Sequence, residues 1–84
     1  MTRQEVLEKT RKVIFDCFPE MQDQELREDS VINTETAIDS MGFVLIICKL
    51  EALFDIRIPE RQWQRLQTLG DVVDAIYKRL PDRA

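Results

Sequence analysis

The chain has no histidine, and that absence removes a large group of catalytic arrangements. Serine and cysteine nucleophiles in enzymes are commonly activated by a neighbouring histidine, which takes their proton. A zinc site would need more ligands than the two cysteines can supply. We therefore expect no catalytic residue and no metal site, and a hydrolytic enzyme is the least favoured class.

The two cysteines, Cys17 and Cys48, both lie within apolar helical patterns. Thiols in such positions are commonly buried, and they stay reduced in the cytoplasm. We expect buried free thiols rather than a disulfide.

Long apolar runs are also missing, since no window reaches the roughly 18 consecutive apolar residues of a membrane span. The first dozen residues are mostly charged or polar, unlike a signal peptide. We expect one free-standing cytoplasmic domain over residues 1–84. The formal net charge is −4, which makes nucleic acid a poor partner because phosphates repel it, and favours basic protein partners.

Apolar residues recur at helical spacing in four segments, over about residues 3–17, 40–54, 60–66 and 69–80, with boundaries good to about two to four residues. Thr2 and Glu5 have the spacing of a capping box at the first of these helices. Because no strand pattern is present, we predict an all-α fold, a bundle of three longer helices and one short helix.

The long connection over residues 18–38 has no persistent period, and connections of that length tend to be functional. A short helical turn around Asp23–Arg27 is one possibility. We expect Val31 and Ile32 to pack this connection against the core.

The second helix has more apolar surface than three neighbours can easily cover. Its core stripe has helical spacing and consists of Phe43, Ile46, Ile47, Leu50 and Phe54. Beside it lies a further set, which we call the second stripe, formed by Met41, Val44, Leu45 and Cys48. Two interpretations remain open: the connection covers the second stripe, or the second stripe is an exposed docking surface.

Asp39 and Ser40 stand at the start of this helix. Asp39 is a good N-cap, and a cap followed by a first-turn serine is the ordinary interpretation of such a pair. Without a histidine, Ser40 is a poor nucleophile but a possible substrate for another enzyme. A phosphate on Ser40 would lie at the positive end of the helix, near unpaired backbone N–H groups.

The segment from Asp39 to Glu60, DSMGFVLIICKLEALFDIRIPE, resembles the acyl carrier protein family. Asp39 and Ser40 match the family's attachment motif, with Met41 where leucine is usual. Further matches are the helix-end pattern at Leu50, Glu51 and Phe54, the I-x-I-P link over residues 56–59, and the last helix from Thr68 onward.

The resemblance implies that Ser40 receives 4'-phosphopantetheine from coenzyme A, transferred by a phosphopantetheinyl transferase. The thiol of the arm would then hold an acyl group as a thioester and present it to acyl-loading and acyl-processing enzymes. In this interpretation the second stripe contacts those partners or helps to shelter the cargo.

The sequence also departs from the family pattern. Ala37 stands where glycine is frequent, and Thr36 where a large apolar residue is common. In fatty-acid carriers the exposed face of the second helix is rich in Asp and Glu, whereas the corresponding positions here look like Gly42, Leu45 and Ala52. Weaker charge steering makes a specialised, polyketide-like pathway as reasonable as fatty-acid synthesis.

Two alternatives stay open beside an acyl carrier in either pathway. An aminoacyl or peptidyl carrier would differ in being loaded by an adenylating enzyme. A helical interaction module without a covalent cofactor would bury the second stripe in a homodimer or against a partner helix. We expect a monomer.

Overall fold

The computed structural model describes residues 1–23, 26–30 and 40–80. Within these ranges the chain forms three α-helices and two 3₁₀-helices: α1 (Arg3–Cys17), a 3₁₀-helix (Pro19–Asp23), α2 (Ser40–Phe54), a second 3₁₀-helix (Glu60–Arg65) and α3 (Leu69–Tyr77). These ranges contain no strand. The prediction of an all-α fold with three longer helices and one short helix before the last is confirmed.

The predicted capping box at the start of α1 is present. The Thr2 hydroxyl accepts a hydrogen bond from the Glu5 N–H at 3.2 Å, and the Glu5 carboxylate accepts from the Thr2 N–H at 3.1 Å. These bonds satisfy donors that a helix start leaves without an intrahelical acceptor. At the other end, the Phe18 N–H donates to the Ile14 carbonyl at 2.8 Å, and Pro19 follows.

The predicted long connection begins with a short helical turn, the 3₁₀-helix Pro19–Asp23. The turn considered around Asp23–Arg27 includes residues 24 and 25, which lie outside the described residues, so it stays a prediction. Proline suits a helix start because its fixed φ is already helical and its missing N–H is not needed there. Met21 in this turn and Leu26 after it are both buried in the core. Val31 and Ile32 lie outside the described residues.

The segment 26–30 is joined to the start of α3 by backbone hydrogen bonds. The Leu69 N–H donates to the Ser30 carbonyl at 3.0 Å, and the Gly70 N–H donates to the Glu28 carbonyl at 2.8 Å. The Thr68 hydroxyl also accepts from the Asp71 N–H at 3.1 Å. The first-turn donors of α3 are thus satisfied, and the connection is fixed at this point.

Arg3 adds an ionic contact at the same place. Its guanidinium Nη2 lies 2.6 Å from Oε1 of Glu28, and its Nε lies 2.8 Å from Oδ1 of Asp74 in α3. The hydrogen bond from Arg3 lowers the pKa of the Glu28 carboxyl below its usual range. One side chain therefore links the start of α1, the connection and α3.

The short helix before α3 is a 3₁₀-helix rather than an α-helix, and it ends at Arg65. Its turns are closed by hydrogen bonds from the Gln62 N–H to the Pro59 carbonyl at 2.9 Å and from the Leu66 N–H to the Trp63 carbonyl at 3.1 Å. The half-buried Trp63 packs against the core, and its indole N–H donates to the Ile58 carbonyl at 3.0 Å.

The last helix is shorter than predicted: α3 ends at Tyr77, whereas the sequence pattern extends to about residue 80. The hydrogen-bond pattern changes after Tyr77. The Arg79 N–H donates to the Ile76 carbonyl at 3.0 Å, and the Leu80 N–H donates to the Tyr77 carbonyl at 3.2 Å. Both bonds span three residues instead of four, as is common at helix ends. Leu80 still reaches the core.

One core lies between the helices. The buried side chains of α1 are Val6, Leu7, Thr10 and Ile14, those of α2 are Phe43, Ile46, Ile47, Leu50 and Phe54, and those of α3 include Leu69, Val72, Val73 and Ile76. The whole predicted core stripe of α2 is buried. No helix in the described ranges combines the length and apolar character needed to cross a bilayer.

Candidate functional site

The residue singled out as the attachment point begins α2. Ser40 is the first residue of this 15-residue helix, and the first turn of the helix carries no acidic residue. The cap predicted at Asp39 lies outside the described residues, as do Thr36 and Ala37, so the role of Asp39 stays a prediction. The structure does show that the helix begins at Ser40, the serine of the attachment motif.

Immediately after Ser40 the surface of α2 is apolar and open. Met41 is 83% exposed, Leu45 is 47% exposed and Val44 is 39% exposed. Cys48 is exposed as well. The sequence left open whether the second stripe is covered or exposed, and these four side chains are exposed. Their role in binding a partner stays a prediction.

The expectation of buried thiols was wrong in part. Cys17 and Cys48 are both free, but Cys48 is exposed and Cys17 is only half-buried. The physical reason lies in the register of α2. The core stripe occupies one side of the helix, and Cys48 lies on the other side with Leu45.

Sequence reasoning also misplaced Gly42 and missed Leu53. Gly42 was expected on the exposed face, but it is buried, because it lies four residues before Ile46 on the same side of the helix. Leu53 is 52% exposed and enlarges the apolar surface. The exposure of Leu53 could have been predicted from its position one helical turn after Lys49, which is also exposed. Leu45 and Ala52 are exposed as expected.

The acidic side chain of α2 faces the following link instead of the second stripe. The Glu51 carboxylate accepts a hydrogen bond from the Ile58 N–H at 2.8 Å, and the Ile56 N–H donates to the Glu51 carbonyl at 3.1 Å. Glu51 is half-buried and keeps its negative charge, whereas Lys49 is the charged residue among the exposed side chains described in α2.

Comparison with known proteins extends this picture. Residues 20–76 match the family model described as "Phosphopantetheine attachment site". An acyl carrier protein of Borreliella burgdorferi (strain ZS7) is 33% identical over 79 residues, which cover 94% of this chain and 98% of that protein. An acyl carrier protein of Phenylobacterium zucineum (strain HLK1) is 30% identical over 76 residues, covering 90% and 95%.

This chain is also similar to a solved structure. The acyl carrier protein from Enterococcus faecalis superposes with a TM-score of 0.75 at 30% sequence identity, covering 94% of this chain and 99% of that one. The fold and the matched attachment region define a small helical carrier domain. The chain belongs to the acyl carrier protein family, and its cofactor is therefore a covalently attached 4'-phosphopantetheine.

The start of α2 suits a phosphate-linked group of this kind. The first N–H groups of a helix lack intrahelical acceptors, and the helix dipole favours an anion there. With no carboxylate in the first turn of α2, nothing in that turn opposes a phosphodiester charge. Serine supplies the hydroxyl that such an ester needs. The residue types at this helix start therefore fit the cofactor.

Proposed function

We propose that this chain is a discrete acyl carrier protein and that Ser40 is the residue that bears 4'-phosphopantetheine. The observation that carries the proposal is that Ser40 is the first residue of α2, within the matched region 20–76. The exposed Met41 follows it directly, so the helix start is bordered by open surface. A transferase must reach the serine, and such surface on one side favours that approach.

When bound, 4'-phosphopantetheine supplies a thiol that can hold an acyl group as a thioester. The chain's own part is to hold the phosphate ester at the helix start and to offer the second stripe to partners. Its partners would be a phosphopantetheinyl transferase and the enzymes that load and process the acyl group. We propose a carrier and not an enzyme, because the chain has no histidine to act as a base.

The test is intact-mass spectrometry after incubation with coenzyme A and a promiscuous phosphopantetheinyl transferase. Ser30 is the second of the chain's two serines and provides a matched control. We expect the wild type and Ser30→Ala to gain one phosphopantetheinyl mass and Ser40→Ala to gain none. A wild-type mass that stays unchanged, or a gain that survives Ser40→Ala, would count against the proposal.

The pathway is a further part of the proposal. We propose a fatty-acid-like or a specialised, polyketide-like pathway, and the outer surface of α2, whose described exposed side chains include no carboxylate, favours the specialised one. Leu45 and Ala52 are exposed where fatty-acid carriers tend to have carboxylates. Partners that recognise an acidic helix should therefore bind this chain weakly.

A loading assay separates the two pathways. The phosphopantetheine-bearing protein is offered to a malonyl transferase of fatty-acid synthesis, beside the double variant Leu45→Glu/Ala52→Glu. We expect slow loading of the wild type and faster loading of the double variant. Efficient loading of the wild type would instead support a fatty-acid role.

An aminoacyl or peptidyl carrier is the alternative within the same chemistry. Such a carrier would accept an amino acid from an adenylating enzyme and no acyl group from an acyl transferase. The loading assay run with both types of enzyme therefore distinguishes an aminoacyl carrier from an acyl carrier.

A non-covalent interaction module is the other alternative. A tight dimer in sedimentation that hides α2 would favour it. We propose a monomer in the cytoplasm, where the free thiols of Cys17 and Cys48 would stay reduced.

A further inference from the structure

Cys48 lies in the same row of α2 as the position that we propose for the cofactor. Ser40 and Cys48 are eight positions apart in this helix, and residues that differ by four or eight positions form one row along a helix surface. Val44 comes between them in that row and is 39% exposed. Cys48 itself is an exposed, free thiol. The row therefore begins at the attachment position and reaches an open thiol about two turns later.

The cofactor of the family supplies a second thiol to this face. The sulfur of 4'-phosphopantetheine is about 13 bonds from the phosphorus, and an extended chain advances about 3.5 Å for every three bonds. A fully extended arm therefore spans about 15 Å, whereas eight residues of α-helix rise about 12 Å. An arm on Ser40 is long enough to bring its sulfur to Cys48.

The surface between the two positions suits the arm. Val44 and Leu45 are exposed apolar side chains, and the carbon-rich part of pantetheine would remove apolar area from water by lying against them. The first turn of α2 has no acidic residue that would repel the phosphate. The arm can thus follow the helix toward Cys48 without meeting a carboxylate in that turn.

Cys17 differs from Cys48 in position and in access. It is the last residue of α1, it is half-buried, and it packs against the core. Thiol exchange requires that another sulfur can reach the thiol. Cys17 therefore serves as an internal control, since it is the same residue type on a different helix of the same chain.

We propose that Cys48 forms an intramolecular disulfide with the thiol of the arm under oxidising conditions, and that this bond reversibly takes the carrier out of use. The inference rests on the proposed function, because it needs the arm on Ser40. While the disulfide is closed, no sulfur is free to form a thioester. A carrier that already bears an acyl group has no free arm thiol and is protected from the reaction.

The oxidant is a low-molecular-weight disulfide, for which glutathione disulfide is the probe. The thiolate of Cys48 attacks one sulfur of the probe, and one glutathione leaves as a thiolate. Cys48 then exchanges its glutathione for the arm: the new bond joins Sγ of Cys48 to the arm sulfur, and the second glutathione leaves. The two thiols give up two protons and two electrons in all, which reduce one glutathione disulfide to two glutathione molecules.

Ring closure should be favoured over disulfides between chains. Groups joined by a short flexible tether have an effective concentration on the order of 1 mM, about a hundredfold above that of other chains at about 10 µM protein. The ring should therefore outnumber disulfide-linked dimers by about a hundredfold. It should be half formed where the squared glutathione concentration divided by that of glutathione disulfide is about 1 mM. A large excess of glutathione keeps the ring open.

The test equilibrates the phosphopantetheine-bearing full chain in glutathione buffers at pH 8, followed by N-ethylmaleimide and cleavage after lysine and arginine. Ser40 and Cys48 fall in one peptide, residues 28–49, and Cys17 falls in another, residues 13–27. In oxidising buffer we expect the peptide 28–49 to lose the mass of two hydrogens and to take up no maleimide, while Cys17 is labelled. Dithiothreitol should restore two labelling sites on the peptide 28–49.

Three variants locate the bond. Cys48→Ser should abolish the ring, and Cys17→Ser should form it as the wild type does. The third variant, Cys48→Ser/Ala52→Cys, moves the thiol one turn further along the same row, to an exposed position. Twelve residues rise about 18 Å, which exceeds the reach of the arm. This variant should close the ring at least about tenfold less than the wild type, because a tether that cannot span two sites gives almost no effective concentration.

Several results would overturn the inference. They are a peptide 28–49 that keeps both thiols in oxidising buffer, a disulfide that uses Cys17 instead of Cys48, and dimers or glutathione adducts as the main product. Modification of Ser40 without ring closure would leave the proposed function intact and remove this inference alone. A chain that gains no arm would remove both.

Discussion

The backbone N–H of Gly70 donates a hydrogen bond to the carbonyl oxygen of Glu28 at 2.8 Å. The approach is so close that a Cβ at position 70 would lie 2.9 Å from the same oxygen and 3.3 Å from the Cβ of Glu28. The oxygen belongs to the backbone, so it cannot turn away as a side chain would. Glycine at position 70 is thus what allows the connection to lie against α3.

Gly70→Ala tests this contact, because two effects predict opposite signs. Helix propensity alone would stabilise the alanine variant by up to about 1 kcal/mol. The clash with the Glu28 carbonyl should outweigh that gain and lower the free energy of unfolding by about 1–3 kcal/mol. Urea denaturation measures the difference. A variant more stable than the wild type would show that the segment 26–30 can move away from α3 at little cost.

The contact between Arg3 and Glu28 predicts a pH dependence. The hydrogen bond from Arg3 lowers the pKa of Glu28 in the folded chain. The contact therefore contributes stability above the ordinary glutamate pKa, and that contribution is lost as the pH falls toward the folded value. Carboxyl ¹³C NMR titration should find that Arg3→Gln raises the pKa of Glu28 toward its ordinary value.

Lys12→Gln is the matched control for that titration, since Lys12 is an exposed cation of the same helix. It should leave the pKa of Glu28 where it is in the wild type. If Arg3→Gln and Lys12→Gln had the same effect, the shift would come from the general charge of α1 and not from the bond.

Thr2, which caps α1, and Thr10 within α1 should respond oppositely to the same substitution. Thr10 is fully buried, and its hydroxyl has no hydrogen-bond partner among the described residues. Thr10→Val removes that group at constant shape and should raise the free energy of unfolding by about 1 kcal/mol. Thr2→Val removes the helix cap and should lower it by about 1 kcal/mol. Thermal melts in which Thr10→Val is less stable than the wild type would show that the Thr10 hydroxyl makes a stabilising hydrogen bond in solution.

The two faces of α2 predict a separation between stability and partner binding. Leu50 is fully buried, whereas Leu45 is about half exposed. Leu50→Ala should lower the free energy of unfolding by about 2–5 kcal/mol. Leu45→Ala should change it by less than about 1 kcal/mol and should slow loading of the carrier by a partner enzyme that contacts the second stripe. A large loss of stability in Leu45→Ala would mean that the second stripe packs against part of the chain.

Local sequence signals foretold much of the fold. The capping box at Thr2 and the apolar spacing of α1 depend on residues three or four apart, so the sequence displays them directly. The same holds for the core stripe of α2. The stretch from Asp39 to Glu60 pointed to the family, which the comparisons confirm.

Contacts between distant residues could not be foretold in this way. Arg3 and Asp74 are 71 positions apart, and no local pattern pairs them. The burial of Gly42 and Met21 depends on what packs over them, which the spacing of apolar residues does not specify. The short predicted helix is present, but its 3₁₀ geometry and the bond from Arg79 to Gln62, 17 positions away, are not visible in the local pattern.

The most direct measurement locates the cofactor on the chain. Cleavage after Arg27 and Lys49 gives a peptide over residues 28–49, which contains both serines of the chain. After treatment with coenzyme A and the transferase, fragmentation of this peptide should place the added phosphopantetheinyl group on Ser40. Fragments that contain Ser30 but end before Ser40 should have unmodified mass. A group found on Ser30, or no group on this peptide, would contradict the account.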